Sequence, residues 1–170
     1  SPVYLAAVWP ADQPAFFEGM QSAVTKLNDG GGVTVRDKDG NDVTVKVALV
    51  LFPQTSVDDR IYLKIAEDDR FMAVVGHSND EEAIKASVAY QESGLLYIAP
   101  NISIPHFSKS GFNRVFRMVP DDIEIATHIA EFIDFREYSN VVILTPLTDI
   151  GKDMALHLTH EIQRREVTND

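Results

Sequence analysis

Cysteine is absent from the 170 residues. That excludes a disulfide framework, thiolate metal sites and a cysteine nucleophile, and it is compatible with export without fixing a compartment. No stretch approaches ~18 consecutive apolar residues, so no membrane-spanning helix is expected. Positive charge is scarce: 15 Lys and Arg stand against 26 Asp and Glu, a net charge of −11. Such a surface repels phosphate backbones and anionic lipid, so nucleic acid is excluded as an expected partner. The G-x-S-x-G turn of serine hydrolases is missing as well. No signal peptide is expected within these residues. The chain opens at Ser1 without Met, which implies an upstream segment removed by processing or by cloning. The Gly30-Gly31-Gly32 run follows a predicted helix, whereas phosphate-binding glycines follow a strand and open a helix.

What is present is an alternation of strands and helices. Val3–Val8 is nearly all apolar and reads as a strand buried on both faces. Asp12 is placed to cap the helix that follows, with Pro14 in its first turn and Phe17, Met20, Val24 and Leu27 at helical spacing. A hairpin comes next, Val33–Val35 against Val43–Val47 around Asp37–Asp42, and it continues into a second core strand over 48–52. Ser56 and Asp59 have the spacing of a capping box for a helix reaching about Glu67. A third strand, Phe71–Gly76, leads into a helix from about Asn79 to Glu92, and a fourth strand covers Leu95–Ala99. After a long loop, Arg114–Val119 reads as a short strand. A helix with Ile125, Ile129, Phe132 and Ile133 on one face follows, then a strand over Asn140–Thr145 and a last helix from about Asp149 to Arg165.

The fold class is therefore α/β, a doubly wound parallel sheet with flanking helices. Its expected strand order is 2-1-3-4 with a further strand at the edge. Pro120-Asp121-Asp122 is the best boundary and divides residues 1–120 from 121–170. The order places a switch point between strands one and three, where open α/β sheets bind ligands. Polar turns follow strands one, three and four. A small molecule is expected against residues 9–12, 77–80 and 101–103, with Trp9, Ala11, His77, Ser78, Asn79, Asp80, Asn101, Ile102 and Ser103 as candidates. Trp9 is either a ligand wall or a plug over the sheet edge. His106, in the long loop, is a further contact to consider.

Other groupings have plainer readings. His77, Ser78 and Asp80 are neighbours in one turn and do not make a catalytic triad, which needs three groups converging in space. Ser78 with Glu81 reads as a capping box. Asp37–Asp42 has calcium-loop composition, but the glycine and glutamate positions of an EF-hand fail, so it reads as a hairpin turn. His157 and His160 lack a third ligand and read as a solvated helix face, and His128 as structural. No metal, cofactor or enzymatic activity is expected.

Several stretches together resemble the type I periplasmic binding protein superfamily, in particular the branched-chain amino acid receptors of ABC transporters. They are Phe17–Val24 through Leu27-Asn28, Val74-Val75-Gly76-His77, Ile98–Ser103, Gly111–Arg117 and Pro120-Asp121-Asp122. The resemblance runs from about Ala6 to Glu166. It implies an exported, periplasmic or extracellular, non-enzymatic solute-binding domain, with an ABC permease or a receptor as partner. Residues 1–120 would be one lobe of a clamshell and 121–170 the opening of the second. Either the chain is truncated, or it is a reduced relative whose last helices and strand pack on the first lobe. In a truncation the face of Ile125, Ile129 and Phe132 would favour a homodimer. A ligand-sensing domain of a signalling receptor or regulator, and a flavodoxin-like cofactor protein or enzyme, are the alternatives.

By the same resemblance, the family's ligand hydroxyl falls near Asp80 or Ser78. The fourth-turn contacts fall on the Asn101 backbone and the Ser103 hydroxyl. The chain departs from the amino acid receptors in its acidic Asp80-Glu81-Glu82 turn, in a shorter loop after strand one, and in Ile150, where an aromatic often covers the ligand. A neutral, cationic or aromatic solute is expected in place of leucine.

Overall fold

A computed structural model describes residues 2–54, 60–109 and 111–168. They divide into two compact units, the first made of 1–102 and 107–118, the second of 103–106 and 119–170.

The first unit is built on five parallel strands. These are β1 (Val3–Pro10), β4 (Val47–Gln54), β5 (Phe71–Gly76), β6 (Leu96–Ala99) and β7 (Val115–Arg117), in the order β4-β1-β5-β6-β7. This is the order the pattern predicts. The chain leaves β1 for one neighbour, β4, and returns on the other side as β5, so the switch point lies between β1 and β5. Three consecutive β1 residues, Ala6, Ala7 and Val8, are fully buried. Consecutive residues point to opposite faces, so the sheet is covered on both. Its core gathers Val8, Ile65, Phe71, Val74, Ala83, Tyr90, Tyr97 and Ile102.

Helix α1 (Pro14–Asp29) packs on β1 and β4. Asp12 does not cap it. The Gln13 N–H bonds the Pro10 carbonyl, and that turn makes Gln13 the residue before the helix, with Pro14 at its first position. At the far end the Asn28 side-chain amide donates to the Val47 carbonyl and accepts from its N–H, both at 2.9 Å. Asn28 thereby satisfies the start of an edge strand as a neighbouring strand would. The hairpin forms as β2 (Val33–Arg36) and β3 (Asp42–Val45), a separate two-stranded sheet. It does not run on into the core strand as expected, because the ladder stops at Lys46 before β4 begins.

Helix α2 spans Ile61–Ala66; the predicted capping pair Ser56 and Asp59 lies outside the described residues. Helix α3 (Asp80–Ser93) packs on α2, β6 and β7. A 3-10 turn follows β6 over Pro105–Lys109.

The second unit contains α4 (Asp122–Phe135) and α5 (Asp149–Thr168), packed together through Ala126, Ala130, Ile133, Met154, Leu158 and Ile162. A full capping box starts α4: Asp121 accepts from the Glu124 N–H while the Glu124 carboxylate accepts from the Asp121 N–H. The apolar face read over Ile125, Ile129, Phe132 and Ile133 is divided: Ile133 packs into the cluster with α5. The small residues Ala126 and Ala130 face α5, while Ile129 and Phe132 stay exposed. The predicted strand over Asn140–Thr145 does not form. Among the described residues it pairs with no other segment, and Val142 and Leu144 are 82% and 91% exposed.

Candidate functional site

The carboxyl ends of β1, β5 and β6 are brought side by side by the sheet register, in which Val8 pairs with Gly76 and Val75 with Ile98. Each end is shaped differently. At β1 the Trp9 ring lies stacked on Phe16, centroids 4.3 Å apart, and its Nε1 donates to the Gln13 side chain at 3.1 Å. Trp9 thus presents a braced, half-buried aromatic surface. The exposed Ala11 donates its N–H to the Gln54 carbonyl, which ties this turn to the end of β4.

The β5 end turns sharply. Gly76 and His77 both have positive φ, +149° and 59°. A Cβ at Gly76 would sit 2.1 Å from the Val8 carbonyl oxygen, so only glycine fits. The His77 N–H donates to that same carbonyl at 2.9 Å and locks β5 to β1. The His77 side chain then goes inward. It is fully buried, and its Nε2 sits 3.0 Å from the Tyr90 hydroxyl. Beside it the Tyr97 hydroxyl donates to the Gly76 carbonyl at 3.0 Å. Burial pushes the imidazole down to about 4 and pushes both phenols up.

Beyond the turn, Asn79 caps α3 by accepting from the Glu82 N–H at 2.9 Å. The expected cap, Ser78 with Glu81, is displaced by one residue: Asn79 holds the extended backbone that a cap requires, and Glu81 instead pairs with Lys85 at 2.6 Å. That ammonium holds the Glu81 carboxyl below its usual range. Ser78 and Asp80 are half-buried. At the β6 end Asn101 is exposed and Ile102 fully buried.

Of the nine candidates, then, Trp9, Ala11, Ser78, Asn79, Asp80 and Asn101 have surface at this edge. The side chains of His77 and Ile102 are withdrawn into the core and offer no surface at this edge. Ser103 falls in the second unit, where its carbonyl accepts from the Asp122 N–H, and so does the exposed His106. Tyr90 and Tyr97, which support the turn from beneath, were not anticipated. Their signal is a phenol inside an otherwise apolar stretch, since a buried hydroxyl needs a partner. A cavity of about 260 Å³ lies at the opposite, amino end of β5 and β6, lined by Asp68, Phe71, Leu95 and Arg114. Among the described residues no group of three or more His, Asp or Glu is placed to hold a metal ion. No described helix is long and apolar enough to cross a membrane.

No family model matches the chain. A Leu/Ile/Val-binding protein homolog from Brucella abortus is 25% identical over 142 residues, which are 81% of this chain and 36% of that protein. An amino acid binding protein from Pseudomonas aeruginosa is 26% identical over 119 residues, 69% of this chain and 30% of its own length. Among solved structures, an ABC transporter substrate-binding protein from Desulfitobacterium hafniense superposes with a TM-score of 0.83 at 25% identity, over 96% of this chain and 48% of that one. The same protein in complex with Leu gives 0.82. The chain therefore resembles the periplasmic binding-protein superfamily of ABC transporters, close to the branched-chain amino acid binding proteins. It spans about half the length of these solved relatives and about a third of the sequence relatives. These relatives are named as binding proteins, for Leu/Ile/Val in one case and for the substrate of an ABC transporter in the other.

Proposed function

We propose that this chain is the ligand-binding part of an exported solute-binding protein that delivers a small molecule to an ABC-type permease. The observation that carries the reading is the switch point between β1 and β5, with polar turns at adjacent carboxyl ends, in a chain similar to solute-binding proteins. Residues 1–120 are read as the ligand-binding lobe and 121–170 as the opening of a second lobe. The solute sits against Trp9, Ala11, Ser78, Asn79, Asp80 and the backbone of Asn101.

The relatives' names point to leucine, isoleucine and valine. The local chemistry points elsewhere. Of the three acids in the first turn of α3, Glu81 is paired with Lys85 and Glu82 is buried, while Asp80 has surface at this edge and repels a carboxylate; the Trp9–Phe16 stack offers an aromatic face. A neutral, cationic or aromatic solute fits better, and this chain alone binds branched-chain amino acids weakly. A homodimer through the exposed Ile129 and Phe132 face is a separate proposal, tested by sedimentation across a concentration series.

Trp9 is the sole tryptophan, so its fluorescence reports on this edge without a label. A thermal-shift screen of amino acids, aromatic acids and organic cations selects binders. The expected result is a change in Trp9 emission on titrating any binder. A binder that stabilises the protein without altering Trp9 emission overturns the placement. Micromolar or tighter binding of leucine, isoleucine or valine by calorimetry overturns the specificity.

A further inference from the structure

The β5–α3 turn owes its shape to a histidine that touches no solvent. His77 is a non-glycine residue in the left-handed region, a conformation that costs energy and persists only where surroundings impose it. Three bonds impose it here. The His77 N–H is held by the Val8 carbonyl, the Gly76 carbonyl by the Tyr97 hydroxyl, and the imidazole Nε2 by the Tyr90 hydroxyl. The rings close around the imidazole, Tyr90 at 5.9 Å and Tyr97 edge-on at 5.8 Å, with Phe107 packed behind Tyr97.

The ring has one partner for two nitrogens. Nδ1 is buried and makes no hydrogen bond among the described residues. A neutral imidazole keeps the cost to one unmet donor of the His77–Tyr90 pair, whichever tautomer makes the bond. An imidazolium would bury a second N–H and a positive charge. The titratable groups around it are Tyr90 from α3 and Tyr97 from β6, both held neutral by burial. Glu82, also buried on α3, acts electrostatically on Tyr90, and no hydrogen bond joins it to the imidazole.

We propose that His77 is the positioning residue of the candidate ligand edge: its neutral ring, wedged between Tyr90 and Tyr97, holds residues 76–79 in the shape that presents Ser78 and Asn79, and protonation releases that turn. The inference rests on the reading of this edge as the ligand site. It adds that ligand capture is graded by acidity, with the turn set at neutral pH and loosened as the medium acidifies. The direction follows from burial, which holds the imidazole at about 4 in the closed turn against 6.5 when the ring is freed.

Amide hydrogen exchange of the full chain tests it, corrected for intrinsic rates, between about pH 7.5 and about pH 5. Opening of the turn, read at the amides of His77, Glu82 and Ala83, is expected to rise roughly thirtyfold. Amides of α1 are expected to hold within about twofold, as a separate opening unit. His77→Asn, whose side chain tolerates the left-handed region and does not titrate, should flatten the profile. A flat wild-type profile, a turn that opens in step with α1, or an unchanged profile in His77→Asn each overturns the proposal. Should His77→Asn fail to fold, the wild-type imidazole Cε1–H resonance decides. Titration well below 6.5 supports the proposal, and titration near the ordinary value overturns it. A solute screen that finds no binder at neutral pH removes the binding reading and leaves the exchange result standing. A flat exchange profile does the reverse.

Discussion

Val3–Pro10 in the first unit and Asn140–Thr145 in the second are both apolar runs bounded by turn signals. β1 is paired along its whole length with β4 and over most of it with β5, and its central residues are fully buried. The second run has no ladder partner among the described residues and leaves Leu144 91% exposed. The intrinsic preferences of the two runs are alike, so the difference lies outside them. A strand is a property of a pair: its backbone groups need a neighbour, or they remain with water. The first unit supplies two neighbours to β1. The second unit supplies helices, which satisfy their own backbones internally.

The sharpest way to break this contrast is to part β1 from β5. Gly76→Ala puts a Cβ against the Val8 carbonyl at a φ of +149°. The expected loss is about 4 kcal/mol or more, the range reserved for backbone strain and core disruption together. Urea unfolding followed by Trp9 fluorescence reads it, and a midpoint equal to wild type would mean the strand ends are not locked as described.

Acid should separate the two units next. His77 has a folded value of about 4 against 6.5 unfolded. Between those values the unfolded state binds more protons, so the first unit's stability is full above 6.5 and falls as pH drops toward 4. The loss is about 3 kcal/mol by linkage. In the second unit, Glu131 and Glu161 are held below their usual value by His128 and Arg164 respectively. Their contribution is present above 4.5 and fades only as pH falls further. Urea midpoints taken between pH 7 and pH 5 should therefore decline by Trp9 fluorescence, and a constant midpoint over that range contradicts the buried neutral imidazole.

The caps offer a smaller, matched pair. Asn79→Ala in the first unit and Asp121→Ala in the second each remove a side chain that accepts a first-turn N–H. Each should cost about 0.5–2 kcal/mol by denaturant titration. Ser78→Ala should cost less than Asn79→Ala, and the reverse order would restore Ser78 as the cap. Smallest of all, Leu144→Ser touches a side chain already in water and should leave stability within about 0.5 kcal/mol. A larger loss would reveal a partner for that segment.

These expectations also mark what could be read before the fold was known. Strand order and switch point followed from alternation and short connections, because those features are local. So did the Pro120 turn into α4, whose cap residues lie three apart in sequence. The details that failed depend on contacts distant in sequence. Ser78 and Asn79 are both good cap formers, and the choice between them was made by the left-handed turn at His77, which itself depends on Val8, Tyr90 and Tyr97. Asp12 lost its capping role to a turn from Pro10 to Gln13. At the candidate site the polar turns were visible. The withdrawal of His77 and Ile102 was not, since burial at a strand end is set by what packs beneath it.

The position of β1 bears on how the molecule is made. Its register joins Val3 to Val47 and Ala6 to Val74, so its neighbours lie far downstream. During synthesis β1 emerges before both of its partners and must wait, apolar and unpaired on both sides, until β4 and then β5 leave the ribosome. Long-range parallel pairing is slow, and an apolar strand waiting for it is prone to aggregate. Chaperone demand should therefore fall sharply once a nascent chain extends past Gly76.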